Sequence, residues 1–158
     1  MPKQSAGLLL YRRTNEEVEV FLVHPGGPFW AKKDLGAWTL PKGEYTEDEQ
    51  PLTAAIREFA EETSFSAPPP DSSTYISLGT IKQAGGKLVS AWAFEGDCDP
   101  AALVSNTCLI QWPPRSGRTI EIPEADRGAW FPLDEARERI FKGQQPFLDT
   151  LHEQLTSH

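Results

Sequence analysis

The chain has 158 residues, 39% of them apolar, and a formal net charge of −8. That length suffices for a hydrophobic core without disulfide help, so residues 1–158 read as one domain. The acidic balance excludes a broad basic footprint for duplex nucleic acid, because phosphate contacts draw on clustered Lys and Arg.

In chain order, the β-rich runs Ser5–Tyr11 and Val18–His24 flank the polar turn "RRTNEE" and read as a hairpin. His24, beside "PGG", reads as a turn residue rather than a ligand. Residues 24–36, "HPGGPFWAKKDLG", read as a loop carrying Phe29 and Trp30. A helix follows from Pro51, whose fixed φ and missing N–H suit a first helical position. Residues 66–73, "SAPPPDSS", form a second loop. "TYISLGTIK" and "KLVSAWAFE" read as another hairpin around "QAGG", with Trp92 and Phe94 alternating into the core. Residues 106–118, "NTCLIQWPPRSGR", read as a third loop, with Trp112, Arg115 and Arg118. "GAWF" is a strand before the helix signal "PLDEARERIF". In "PFLDTLHEQL", Phe147, Leu148, Leu151 and Leu155 recur at helical spacing. The sum is an α+β chain.

Cys98 and Cys108 form neither a CxxC pair nor a metal set with His24, His152 or His158. Two lone thiols fit a reducing compartment. No apolar run approaches the roughly 18 residues of a membrane span, and "SAGLLLY" is shorter than a signal-peptide core. The expected location is the cytoplasm, with no membrane partner.

The central helix carries the chemistry. At about 100° per residue, Leu52, Ala55, Ile56, Phe59 and Thr63 share one face, and Ala54, Arg57, Glu58, Glu61 and Glu62 the opposite one. Glu58 has Glu61 and Glu62 as helical neighbours, and each like-charge pair costs roughly 0.2–0.5 kcal/mol on an exposed helix. A solvated acidic face is the ordinary explanation. A divalent cation gives a second one, since Mg²⁺ or Mn²⁺ takes a few hard oxygen ligands from protein and the rest from water and phosphate.

The whole stretch from Gly43 to Phe65 fits G-x₅-E-x₇-R-E-U-x-E-E-x-G-U, where U is a bulky apolar residue, through Gly43, Glu49, Arg57, Glu58, Phe59, Glu61, Glu62 and Phe65. The chain thereby resembles the Nudix hydrolases. One position departs: Ser64 stands where the pattern has glycine, and a non-glycine in a left-handed helix terminus costs about 1 kcal/mol. "WTLPKG" and "EADRGAW" are similar to stretches in diadenosine-tetraphosphate-type members.

The resemblance implies a mixed β-sheet sandwiched between α-helices. It makes Glu58, Glu61 and Glu62 metal ligands, with the Gly43 carbonyl a further one, and Arg57 and Glu49 an orienting pair. Eight residues of helix span about 12 Å, so that pair requires Glu49 to fold back from a loop. Glu61, Glu124 and Glu121 are the candidate general bases. Lys42, Lys82 and Lys87 are the candidate phosphate contacts, and Phe29, Trp30 and Trp112 the candidate base-stacking residues. The implied reaction is Mg²⁺- or Mn²⁺-dependent cleavage of a pyrophosphate bond in a nucleoside diphosphate linked to X. Dinucleoside polyphosphates lead, ahead of nucleoside triphosphates. The alternatives are a catalytically silent nucleotide sensor and an RNA 5′-end pyrophosphohydrolase.

Overall fold

The computed structural model describes residues 3–15, 17–72 and 74–156. Glu16 in the first expected turn, Ser73 at the end of the proline loop, and His158 lie outside the described residues. The strands are β1 (Gln4–Thr14), β2 (Glu17–Pro25), β3 (Lys42–Tyr45), β4 (Ile76–Lys82), β5 (Leu88–Glu95), β6 (Thr107–Gln111), β7 (Thr119–Pro123) and β8 (Ala125–Pro132). The helices are α1 (Pro51–Thr63), α2 (Leu133–Arg139) and α3 (Gln145–Thr156).

The main sheet runs β4-β5-β1-β2-β8, with β3 also on β1. Among the described residues, β1 and β5 are the only strands of this sheet paired in parallel, from Gln4↔Leu88 to Tyr11↔Glu95, so the sheet is mixed. On its other edge β1 is shared. Gln4–Gly7 pair with β3, and Tyr11–Thr14 pair with β2. The Leu8 N–H, between these two segments, donates to Pro41 O at 3.1 Å.

Side chains alternate across a strand, and β1 uses both faces. Leu9 and Tyr11 join Leu22, Trp38, Phe147, Leu148 and Leu151 in the core under α2 and α3. Ala6, Leu8 and Leu10 join Phe21, Ala54, Ala55, Phe59 and Phe94 under α1. The sheet is therefore sandwiched between helices, which is why "SAGLLLY" reads as a nearly continuous apolar run.

Both expected hairpins and all three helices are present, with differences at several places. β3 forms from the polar tetrapeptide "KGEY". Residues 106–118 are not simply a loop: β6 and β7 make a separate antiparallel hairpin, from Thr107↔Pro123 to Gln111↔Thr119. Its half-buried Ile110 and Ile122 side chains alternate with exposed residues. His24 is not a turn residue. It is fully buried in β2, with Nε2–H donating to Lys33 O at 2.7 Å and Nδ1 at 3.1 Å from Asp126 Oδ1. α2 stops at Arg139 because the following residues bond to the loop instead: Trp38 N–H donates to Arg139 O and Phe141 N–H to Trp38 O.

The β1–β3 junction is close. A Cβ on Gly7 would lie 2.2 Å from Leu40 Cδ1 and 2.6 Å from Pro41 O. Gly7→Ala is therefore expected to lower stability by about 1–3 kcal/mol. In urea denaturation this reads as a reduced midpoint with an unchanged slope.

Candidate active site

α1 starts at Pro51 and is capped after Thr63 by Ser64, which adopts the left-handed conformation (φ 68°, ψ 10°) with its N–H donating to Ala60 O. The buried side of this helix differs from the expected one. Ala54, Glu58 and Glu62 are buried beside Ala55, Phe59 and Thr63, whereas Leu52 and Ile56 are only half-buried. The reason is β3, a strand without a strong apolar signature, which packs along the acidic stripe. A Cβ on Gly43 would fall 2.0 Å from Glu58 Oε2. Only glycine allows the backbone that close to the carboxylate.

Arg57 lies at the centre of the charged groups. Its Nε and one terminal nitrogen donate to the two oxygens of Glu49 at 2.9 and 2.8 Å, a bidentate pair. Glu49 thus folds back from the loop before α1. The other terminal nitrogen donates to Glu58 Oε1 at 2.9 Å and reaches both Glu61 oxygens at 3.3 Å. One guanidinium therefore engages three carboxylates. Hydrogen bonding to Arg57 pulls the Glu49 carboxyl below its usual range.

Glu62 lies apart from that network. It is 9% exposed, and its Oε2 accepts from the Lys42 N–H at 3.1 Å. Burial, reinforced by the negative field of Glu124, pushes its pKa up to about 8, with the Lys42 N–H bond opposing. Burial also pushes Glu58 up, partly offset by Arg57 and aided by Glu61 and Glu124. Burial and the adjacent Lys87 push the Lys42 ammonium down. Lys87 pairs with Glu44 at 3.7 Å.

The fold thus brings Glu49, Arg57, Glu58, Glu61, Glu62, Gly43, Lys42 and Glu124 together. Glu121 is exposed on β7, opposite Leu109. Lys82 is exposed and, with Trp30, Gln83, Phe141 and Gly143, lines an open cavity of about 430 Å³. Trp30 packs against Phe141 at 5.3 Å between ring centroids, and Phe29 is 54% exposed. Trp112 sits at the end of β6, its N–H donating to Arg118 O.

The donor set suits a hard dication: buried carboxyls destabilised as anions and a glycine backbone against one of them. Among the described residues, however, no three His, Cys, Asp or Glu side chains are already arranged to hold a metal. Arg57 accounts for part of this, since it holds Glu58 and Glu61.

Comparison with known proteins gives the family. The NUDIX domain family matches residues 1–151, so the chain belongs to the Nudix family and is a Nudix hydrolase, a class acting on phosphoric anhydrides. No curated protein matches its sequence significantly. Similar solved structures include the Ap4A hydrolase of C. elegans, at 20% identity and TM-score 0.62, covering 98% of this chain and 99% of that one. The NUDIX domain of Shewanella oneidensis NrtR, complexed with ADP ribose, is 19% identical with TM-score 0.65, covering 98% and 89%. A mutT/nudix family protein of Listeria innocua is 19% identical with TM-score 0.61, covering 99% and 96%. At these identities the structures establish the shared fold. Nudix hydrolases generally use divalent metal ions.

Two predictions follow from the local chemistry. Glu62 binds its proton more tightly folded than unfolded, so its contribution to stability is full below about pH 4.5 and is lost as pH rises through about 8. Between pH 5 and 8.5 the melting temperature of the metal-free protein should fall more steeply than that of Glu62→Gln. Excess Mg²⁺ should shrink that difference at the alkaline end. The second concerns Ser64, whose hydroxyl donates to Val104 O at 2.6 Å. Ser64→Ala keeps the left-handed strain, loses this bond, and should cost about 0.5–1.5 kcal/mol. Ser64→Gly relieves the strain and should lie closer to wild type in the same melts.

Proposed function

We propose that this protein is a Mg²⁺- or Mn²⁺-dependent hydrolase that cleaves a pyrophosphate bond in a nucleoside diphosphate linked to X. Dinucleoside polyphosphates are the leading substrates and nucleoside triphosphates the next. The observation that carries this reading is the buried acidic stripe: Glu58 lies against the Gly43 backbone and Glu62 is buried beside the Lys42 N–H, with Glu124 close enough to destabilise both as anions. Burying charge without a partner is costly, so such a stripe is explained by a cation that arrives with substrate.

Glu58, Glu61, Glu62 and the Gly43 carbonyl would hold the dication. Bound there, it would neutralise phosphate oxygens and lower the pKa of a water. Arg57, anchored by Glu49, fixes the Glu58 and Glu61 side chains before substrate arrives. Lys42 and Lys87, beside the stripe, offer ammonium groups to the phosphates, and Lys82 does so from the mouth of the Trp30–Phe141 cavity. That cavity offers aromatic faces to a base.

Among the candidate bases, Glu124 is favoured. Glu61 is exposed and bonded to Arg57, and Glu121 is exposed on β7. Glu124 takes the proton of the attacking water as its oxygen bonds to phosphorus, and the bridging oxygen leaves with the other phosphate. The unpaired thiols of Cys98 and Cys108 suit a reducing setting, and the cytoplasm is the proposed one. No helix among the described residues is long and apolar enough to cross a membrane.

A panel of Ap4A, ADP-ribose and the four NTPs, each with Mg²⁺ or Mn²⁺, tests the reading by product mass. Turnover should stop with chelator. Glu62→Gln should lower kcat by about 100-fold or more, the scale of several kcal/mol of lost charge stabilisation. If no substrate in the panel is cleaved while calorimetry finds nucleotide bound, the protein is a binding domain and the proposal fails.

A further inference from the structure

A helix ends with carbonyls that lack intrahelical donors. In α1, two of these are met by the segment leading into β6. The Val104 N–H donates to Thr63 O at 3.1 Å, and the Asn106 N–H donates to Glu61 O at 2.9 Å. Ser64 Oγ holds the same segment through Val104 O. The segment also grips the far end of the β6–β7 hairpin. The Glu124 N–H donates to Asn106 O at 2.9 Å; Ser105 Oγ donates to Asn106 O at 2.8 Å and accepts from the Ala125 N–H at 2.9 Å. Glu124 comes late in the chain, yet its backbone is tied through one residue to the helix that carries Glu58, Glu61 and Glu62.

The side chain of Asn106 completes the connection. Its amide faces two groups that only accept, the Glu124 carboxylate and the Glu61 carbonyl. The amide oxygen and nitrogen are assigned from these partners: with its NH₂ turned toward them, Asn106 donates to Glu124 Oε2 at 3.2 Å and to Glu61 O at 3.3 Å. A glutamate has several rotatable bonds, and a backbone tether does not fix its carboxylate. The amide does.

We propose that Asn106 is a positioning residue that holds the Glu124 carboxylate in place over the acidic end of α1. The inference rests on the reading of Glu124 as the base and adds the group that orients it. Asn106 acts through Glu124, and its backbone bonds survive substitution of its side chain.

The test is a double-mutant cycle on the full chain with the best substrate of the panel. Asn106→Ala should lower kcat by about 10- to 100-fold, as expected for a misplaced catalytic group, with KM changed by only a few-fold. Asn106→Asp, equal in shape but without the donor, should fall at least as far. In a Glu124→Gln background, Asn106→Ala should remove no more than about twofold further. Independent, additive losses would overturn the positioning role while leaving Glu124 as base. Wild-type kcat in Glu124→Gln would overturn both readings. A second readout needs neither turnover nor metal: in the ¹H–¹⁵N spectrum of the metal-free protein, the Asn106 NH₂ pair should move when Glu124 becomes Gln. An unmoved pair would overturn the contact even if Asn106→Ala failed to fold.

Discussion

The close packing of β3 against the acidic stripe of α1 is the constraint on which the site depends. Gly43 lets the backbone touch Glu58, and the next N–H back along the chain, that of Lys42, bonds to Glu62. β3 is in turn placed by β1, where Gly7 admits Leu40 and Pro41 at distances no Cβ would tolerate. Two glycines on facing strands thus set how near the sheet backbone comes to the helix. The two carboxyls lose water without gaining a full counter-charge, and their proton affinities rise accordingly.

Arg57 has a different task. Its pairs with Glu49 and Glu61 are partly exposed, and such pairs contribute little to stability, about 0–1 kcal/mol. Their value is geometric. The bidentate grip on Glu49 fixes the guanidinium plane, which fixes one oxygen of Glu58 and keeps Glu61 nearby. Arg57 reaches Glu49, Glu58 and Glu61 and leaves Glu62 outside its network, where burial and Glu124 outweigh the opposing Lys42.

Much of this arrangement was legible in the sequence. The β-rich runs of β1 and β2 around a polar turn, and of β4 and β5 around "QAGG", marked the hairpins, Pro51 marked the start of α1, and the spacing from Gly43 to Phe65 marked the acidic constellation. The missed features share a physical cause. β3 has one glycine and mostly polar residues, because its strand character comes from pairing with β1 rather than from its own propensity. With β3 unseen, Ala54, Glu58 and Glu62 fell on a face that looked solvated. β6 and β7 lie around the Pro-rich, Gly-containing tip of residues 112–118, whose composition masked the alternation of Ile110, Ile120 and Ile122. Asn106 carried no signal at all, since its partners Glu61 and Glu124 are distant in sequence and on opposite sides of that hairpin.

The same distinction separates chemistry from specificity. The acidic residues are fixed by local helix geometry and by one strand beside them, so a short motif encodes them. The aromatic residues proposed to meet the base sit on connections fixed by a few long-range contacts. The loop bearing Phe29 and Trp30 is tied back where buried His24 takes the Lys33 carbonyl and Asp126, and where Asp34 accepts from Trp38 Nε1 at 2.8 Å. Those anchors are drawn from β2, β8 and the loop itself, and none lies in the motif. A family pattern can therefore keep its chemistry while the surrounding connections change which nucleotide reaches it, because changing the loop leaves the contacts of Gly43, Arg57 and Glu62 intact.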